Sequence, residues 1–494
     1  MPLIMRPSLE PELLLPEELT REFLMYHGMC PMRIAADGVV VVAVAPQRVD
    51  SALDDIAVAF RRRVATEDQP RSVVERLIER LTTEVERLVQ VGTVDEGDGE
   101  SSLDARVLAS QPPVVRYVNL LVSDAYESGA SDIHLEATRD GLCARFRLDG
   151  ILLDAPAPPA DMQHAVISRI KLSAELDIAE RRRPQDGRIR VRVDDRMLDL
   201  RVSTVPTAFG ESVVLRLLER GGRPVGLDEL GMAPDVLVHL SALLERPHGM
   251  LLVTGPTGSG KTTTLYAALG TRDAKREKII TVEDPVEYQL SGVTQVPVDR
   301  ATGLSFATAL RSLLRQDPDV MMIGEMRDGE TADIAVQAAM TGHLVVSTMH
   351  TNDAAGAVPR LVDLGVPAYL IAATLEGILA QRLVRRVCEK CRVSYDPPAA
   401  LVATLADRSP HTVTFQRGAG CPDCRGTGYR GRIGIYEFLL VDETMRRLIV
   451  HGASTAELRA ASKAQGMRTI AQDGWRAVQA GITTVEEVVR VTSI

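Results

Sequence analysis

Residues Gly255, Pro256, Thr257, Gly258, Ser259, Gly260, Lys261 and Thr262 place three glycines, a lysine and a hydroxyl in the spacing GxxxxGK[ST], with Thr263 directly after. A glycine loop of this kind turns successive backbone N–H groups inward, and a helix starting at its end adds partial positive charge. Lys261 then reaches terminal phosphates and the Thr262 hydroxyl reaches Mg²⁺. The pattern counts only where a strand precedes it and a helix follows. Here the apolar run Met250–Thr254 comes before and a helix-compatible stretch, Thr262 to Leu269, comes after. The chain is therefore expected to bind a nucleoside triphosphate.

Hydrolysis needs a polarised water and charge compensation at the transferring phosphoryl group. Candidate acids stand at the ends of two further apolar runs. Val320–Gly324 delivers Glu325, and ITVEDPVEY (280–288) carries Glu283, Asp284 and Glu287. In open α/β sheets ligands gather outside the carboxyl ends of the strands, so these carboxylates are expected to converge on Mg²⁺ and the attacking water. Each one alone could equally cap a helix. STMHTND (347–353) sends His350 from the same edge, either as a structural hydrogen-bonder or as a sensor of the terminal phosphate. The runs Lys278–Val282 and Leu344–Thr348 complete a set of buried strands separated by helix-length segments, which predicts a parallel sheet covered on both faces.

Upstream, a helical stretch through Tyr126 is followed by short alternating segments: Leu142–Leu148 with the turn Asp149-Gly150, Arg188–Val193, Met197–Ser203 and Ser212–Leu218. Helix followed by meandering sheet predicts an α+β domain. In Met197–Ser203 the period of two sends Leu198, Leu200 and Val202 to one face and Arg201 to the other, while Arg216 lies among Val214 and Leu218. A cation in such surroundings needs an anion. A nucleotide phosphate or an internal bridge to Asp199 or Glu211 would serve. The first segment combines a helical pattern from Pro16 to His27, a strand over Val39–Ala45 and an apolar stripe, Val74, Ile78, Leu81, Val85 and Leu88, that packs on its own domain or docks a partner.

Cys388-x-x-Cys391 and Cys421-x-x-Cys424 offer four thiolates, the donor set of a closed tetrahedral zinc site with no position for water. Redox CxxC motifs come singly, so the doubled pattern favours Zn²⁺. Cys30 and Cys143 read as buried thiols.

Taken together, SDIHLE (131–136), RRRPQDGR (181–188), DLRVST (199–204), GPTGSGKT, ITVEDPVEY, LLRQDPDVMMIGEMRD (313–328) and TGHLVVSTMHTND (341–353) resemble the secretion superfamily of ATPases. Within it the type II secretion ATPases stand nearest and the type IV pilus assembly ATPases next. The resemblance runs from about residue 105 to the C-terminus, and a short first segment favours secretion over pili. It implies a RecA-like P-loop ATPase domain in an α/β chain, an α+β, PAS-like middle domain, a small N-terminal α/β domain and a zinc-finger insertion. It also implies ATP as the nucleotide, Glu325 in the Walker B position, Glu287 as water-orienting base and His350 in a histidine box. Phosphate contacts would come from Arg201, Arg216, Arg311 and Arg315. The strand before Glu325 ends in Gly-Glu where the commonest Walker B pattern has Asp. The implied assembly is a hexamer on the cytoplasmic face of the inner membrane, bound through its first domain to a membrane platform protein.

The expected layout is an N-terminal docking domain (1–92), an acidic linker (93–104), the middle domain (105–218), a hinge (219–227), the ATPase domain (228–387), the finger (388–424) and a C-terminal helical region (425–494). Hydrophobic residues make up 45% and charged residues 25% of the 494, the mix of a globular protein. A net charge of −10 argues against nucleic acid as partner. With 3% aromatics, no aromatic and basic groove is expected either. No run approaches the roughly 20 apolar residues of a membrane span, so a cytoplasmic location is expected.

Overall fold

The computed structural model describes residues 21–35, 38–45, 51–60, 62–78, 112–193, 196–219, 225–299, 302–405 and 414–492. The acidic linker, the start of the first helical pattern and the far half of the stripe that begins at Val74 lie outside them. The chain divides into two compact units, Met1–Arg220 and Gly221–Ile494.

In the first unit, helix α1 (Arg21–His27), strands β1 (Met29–Ile34) and β2 (Val40–Val44), helix α2 (Ser51–Phe60), strand β3 (Val64–Asp68) and helix α3 (residues 71–78) form a small α/β body. Its sheet runs β1-β2-β3, antiparallel then parallel. β2 is buried on both faces, which is why it reads as an unbroken apolar run, and Val74, Leu77 and Ile78 of α3 join the same core. Cys30 is buried there, whereas Cys143 is only half-buried.

Helix α4 (Pro112–Glu127) leads into β4 (Ala130–Thr138), β5 (Gly141–Leu148) and β6 (Ile151–Ala155). Helix α5 (Gln163–Ser173), β7 (Gln185–Val193), β8 (Arg196–Thr207) and β9 (Gly210–Glu219) follow. The six strands order as β6-β5-β4-β9-β8-β7, every neighbour antiparallel. Leu198, Leu200 and Val202 of β8, with Ile133, Leu135, Val213 and Leu215, pack on Tyr117, Leu121, Val166 and Ile170 of the two helices. The residues between them, Asp199 and Arg201 included, take the opposite face, as the period of two requires.

The second unit contains α6 (Pro234–Leu244), β10 (Gly249–Thr254), α7 (Lys261–Leu269), β11 (Ile279–Glu283), β12 (Thr294–Pro297), α8 (Phe306–Leu313), β13 (Val320–Ile323), α9 (Gly329–Met340) and β14 (Leu344–Met349). After α10 (Ala357–Asp363) and α11 (Ala368–Thr374) come β15 (Leu375–Val387), β16 (Arg392–Ser394), α12 (Ala399–Leu405), β17 (Gln416–Gly418) and β18 (Tyr429–Leu440). Helices α13 (Glu443–Val450), α14 (Thr455–Ala464), α15 (Ile470–Gln479) and α16 (Val485–Thr492) close the chain. The main sheet orders as β12-β11-β13-β14-β10-β15-β18. Alternate residues of β10 feed two cores. Leu251 and Val253 pack with α6 and α7, Met250 and Leu252 with α8 and α9, so both faces are covered.

Two features depart from the sequence reading. The sheet is not wholly parallel, because β18 pairs antiparallel with β15 over Gly377–Val387. For the same reason the region after 424 is not helical throughout: its first element is a strand whose apolar half, Ile435 to Leu439, is buried. β15 itself buries Glu376, Gln381 and Arg382, polar residues that break up its apolar pattern.

Candidate nucleotide site and four-cysteine cluster

β10 ends at Thr254 and the glycine loop begins where the chain must turn sharply. Gly255 has φ +147°, and a Cβ there would lie 2.5 Å from the Gln381 carbonyl oxygen. Gly258 and Gly260 sit in the left-handed region at φ +79° and +85°. Gly260 occupies the N-cap of α7 without a side chain to cap it, so the first-turn N–H groups have no side-chain acceptor there. Lys261 folds back and donates from Nζ to the carbonyl oxygens of Gly255 (2.9 Å) and Pro256 (3.0 Å), while Ser259 Oγ is buried without a partner among the described residues. Two carbonyl oxygens are weak compensation for an ammonium. Burial lowers Lys261 to about 8, with the Glu325 charge opposing that fall. These groups fit a polyphosphate: uncapped amides, an orphaned hydroxyl and a lysine short of negative charge. The neighbouring hydroxyls of Thr257, Thr262 and Thr263 belong to the same turn.

β13 and β14 pair in register Ile323↔Ser347, and their ends are tied by Ser347 Oγ to Ile323 O (2.8 Å), Thr348 Oγ1 to Gly324 O (2.6 Å) and Met326 N to Thr348 O (3.0 Å). That register brings Glu325 to 3.5 Å from His350 Nε2 and 2.7 Å from Arg327 Nε. The Glu325 side chain is 12% exposed. Burial lowers the pKa of His350, the Lys261 charge adds to this and Glu325 opposes it. Lys261, Glu325 and His350 thus form one electrostatically coupled group at the carboxyl edge of the sheet. Two arginines escaped the sequence reading: Arg327, and Arg382 of β15, which is 5% exposed, bonds to Asn352 and lowers Lys261 by its charge. Arg327 is revealed by its ion pair with Glu325, and Arg382 by the place of β15 beside β10.

Glu283 does not join this group. Its carboxylate is buried and accepts hydrogen bonds from the Tyr266 hydroxyl, Thr281 Oγ1 (2.5 Å) and Gln295 Nε2 (3.1 Å), so of the several candidate acids this one is taken up by protein partners. Glu287 is half-buried, and its backbone N–H donates to Tyr266 Oη at 3.3 Å. Arg311 and Arg315 are exposed around the end of α8. Arg311 pairs with Glu330, and Arg315 donates to the Arg311 carbonyl at 2.9 Å, so neither touches the Lys261 group.

In the first unit the arginines stand in a row that the sequence reading only half saw. Strand register places Arg188 opposite Arg201, Arg201 opposite Arg216, Arg216 opposite Asp132 and Asp132 opposite Arg147. Directly opposed residues share a face, so four guanidinium groups and one carboxylate line up across β7, β8, β9, β4 and β5. The internal partner of Arg216 is neither Asp199 nor Glu211. Glu211 is buried against Lys171 (2.8 Å), Asp199 lies near Arg190 (3.7 Å), and Arg216 Nε donates to Asp132 at 2.8 Å. Burial pushes the Asp132 carboxyl up, yet the bonds from Arg216 and Ser131 outweigh it and hold the pKa below its ordinary value. The premise that Arg216 lacks an anion is therefore corrected, because Asp132 satisfies it. The row still carries an excess of positive charge, and the Arg216 side chain remains 58% exposed.

The sulfurs of Cys388, Cys391, Cys421 and Cys424 all lie within 4.8 Å of one another. Three of the pairs are 3.8, 3.7 and 3.7 Å apart. A tetrahedron with Zn–S bonds of about 2.3 Å has edges of about 3.8 Å, so the cluster already has the span of a zinc site. The N–H groups of Cys421 (3.1 Å) and Gly428 (3.3 Å) point at the Cys424 sulfur, the donors that stabilise a ligating thiolate. β16 and β17 pair antiparallel to form the stem. Cys388 N bonds Gly428 O (2.9 Å) and Ala419 N bonds Cys391 O (2.8 Å), which closes the base.

Among the described residues no helix is long and apolar enough to cross a membrane. The sequence model of the family described as type II/IV secretion system protein matches residues 107–490. The type II secretion system protein E of Xanthomonas campestris pv. campestris is 46% identical over 98% of this chain and 86% of its own length. The type IV pilus assembly ATPase PilB of Myxococcus xanthus is 41% identical over 98% of this chain and 88% of its own. Among solved structures, the pilus retraction motor PilT with bound ADP superposes with a TM-score of 0.51 at 29% identity, covering 75% of this chain and 95% of that one. Both of these relatives match through the first segment as well.

Proposed function

The chain belongs to the family of type II/IV secretion system proteins, and from that premise we propose that it is the ATP-hydrolysing motor of a type II secretion system, working at the cytoplasmic face of the inner membrane. The observation that carries the reading is the convergence of Lys261, Glu325 and His350 on one edge of the sheet beside an uncapped glycine loop. Nucleotide phosphates replace the carbonyls that Lys261 now contacts, and their negative charge repays the burial of its ammonium. Glu325 and Glu287 orient and deprotonate the attacking water, and His350 reads the terminal phosphate. Mg²⁺, held by the Thr262 hydroxyl and the nearby carboxylate side, would spread the charge of the phosphates. Zn²⁺ would be held by the four thiolates as a structural ion, with no role in the reaction.

Arg201, Arg216, Arg311 and Arg315 contribute contacts with nucleotide phosphate, Arg311 and Arg315 in exchange for the partners they hold in this structure. Phosphate loss removes the anion that the guanidinium groups attract, so nucleotide state is converted into conformational change that does mechanical work. In this reading the active form is a hexamer that reaches the membrane by docking its first domain on a platform protein. The pilus assembly reading stays second, favoured by 41% identity to a full-length PilB. Deleting the gene in its host decides between them: lost export of folded proteins with intact pili supports secretion, and the reverse overturns it. In vitro, specific ATPase activity should rise with protein concentration as rings assemble. A flat dependence argues against sites completed by neighbouring protomers.

A further inference from the structure

Tyr266 is fully buried, and every hydrogen-bonding capacity of its hydroxyl is used. A phenol has one O–H to give and two lone pairs to receive. The proton goes to Glu283, and the lone pairs take the backbone N–H of Glu287 and Gln295 Nε2, each at 3.3 Å. The ring meets that of Tyr288 edge to face, with centroids 4.6 Å apart and planes at 83°. Gln295 ties the same segment further along, donating to the Tyr288 carbonyl (3.1 Å) and accepting from Leu290 N (2.7 Å). Tyr266 belongs to α7, the helix that begins at Lys261. One side chain of the phosphate-binding helix therefore holds both flanks of Glu287.

We propose that Tyr266 is a positioning residue that fixes Glu287 relative to the glycine loop, with buried Glu283 as the anchor for its hydroxyl proton rather than a metal ligand. This rests on the reading of Glu287 as the carboxylate that orients water. α7 carries the lysine that meets the phosphates, so a rigid link from its interior to the 284–290 segment keeps base and phosphate in one frame. Without the hydroxyl, the Glu287 N–H loses its acceptor and the segment keeps only the ring contact of Tyr288 as its tie to the helix. Misplacement of a reacting group by about 1 Å costs up to roughly 10²-fold in rate.

The test is Tyr266→Phe in the full chain, which keeps the ring and its contact with Tyr288. Expected are a kcat lower by at least about tenfold, nucleotide affinity within about twofold, and faster hydrogen exchange in segment 284–290. The double variant with Glu287→Gln should be no slower than Glu287→Gln alone, because both remove one function. Thr281→Val removes a donor from the same Glu283 carboxylate without touching the segment, and should keep its kcat even where it lowers the melting temperature. If Tyr266→Phe is not recovered folded, Gln295→Met is read by the same measurements. A parental kcat in Tyr266→Phe beside an inactive Glu287→Gln overturns the clamp, as does an equal loss in Thr281→Val. A parental rate in Glu287→Gln overturns instead the assignment on which the clamp rests.

Discussion

Neutralising Glu325 should move two measurable quantities in opposite directions. The carboxylate lies 2.7 Å from Arg327 and 3.5 Å from His350, and its charge supports the proton on Lys261 against burial. Glu325→Gln keeps the shape and removes the charge. A carboxylate beside a triphosphate repels it; two unit charges about 4 Å apart interact by about 1 kcal/mol at the dielectric of water and by about 4 kcal/mol at an effective value of 20. ATP affinity should therefore improve by at least about fivefold. Loss of a group that activates water should lower kcat by roughly 10²–10⁴-fold. Burial already holds Lys261 near about 8, and without Glu325 its pKa falls further, so the pH above which ATP binding weakens should shift downward in the variant. Binding is measured at pH 7 by titration with a fluorescent ATP analogue, and turnover by steady-state phosphate release. Hydrolysis within about threefold of the parent removes Glu325 from the chemistry. Weaker binding at pH 7 refutes the claim that carboxylate and phosphates share one space.

Three further outcomes are expected. Arg216→Ala should leave ATP affinity within a few-fold and lower turnover about tenfold or more; an unchanged rate would reduce Arg216 to the partner of Asp132. Parent protein should carry one zinc per chain by metal analysis, and Cys391→Ser should lose it together with soluble folding; a parent without zinc refutes the site. Glu487, fully buried, is bound by Arg385 (2.9 Å) and Arg490 (2.6 Å). Burial would raise its pKa, but these bonds hold it at about 2, so its contribution is present above the ordinary 4.5 and is lost as pH falls from there toward 2. Glu487→Gln should cost about 3 kcal/mol at pH 7, and the gap in melting temperature from the parent should narrow at pH 3.

The glycine loop, the strand ends that carry Glu325 and His350 and the paired CxxC motifs were legible because each depends on short spacing. A turn that must approach phosphate needs glycine at particular positions, and a thiolate site needs cysteines close in the chain. β15 and β18 were not legible: β15 buries polar residues that meet partners from distant segments, and β18 carries Arg430 and Arg432 before its apolar half. The role of Glu283 was left open for a related reason, since nothing in ITVEDPVEY reveals that Tyr266 and Gln295 bond its carboxylate.

From residue order alone came the phosphate loop, the four-thiolate donor set, the alternation that turns Arg201 away from the core and the two-sided burial of the main sheet, all products of local geometry or of a period. The tertiary structure decided which charges meet. It gave Arg216 to Asp132, aligned Arg188 and Arg147 with it, set Glu325 between Arg327 and His350, and placed one tyrosine at both flanks of Glu287. Strand register and helix packing join residues far apart in the chain, and an electrostatic partner is selected by distance in space, which no spacing along the chain encodes.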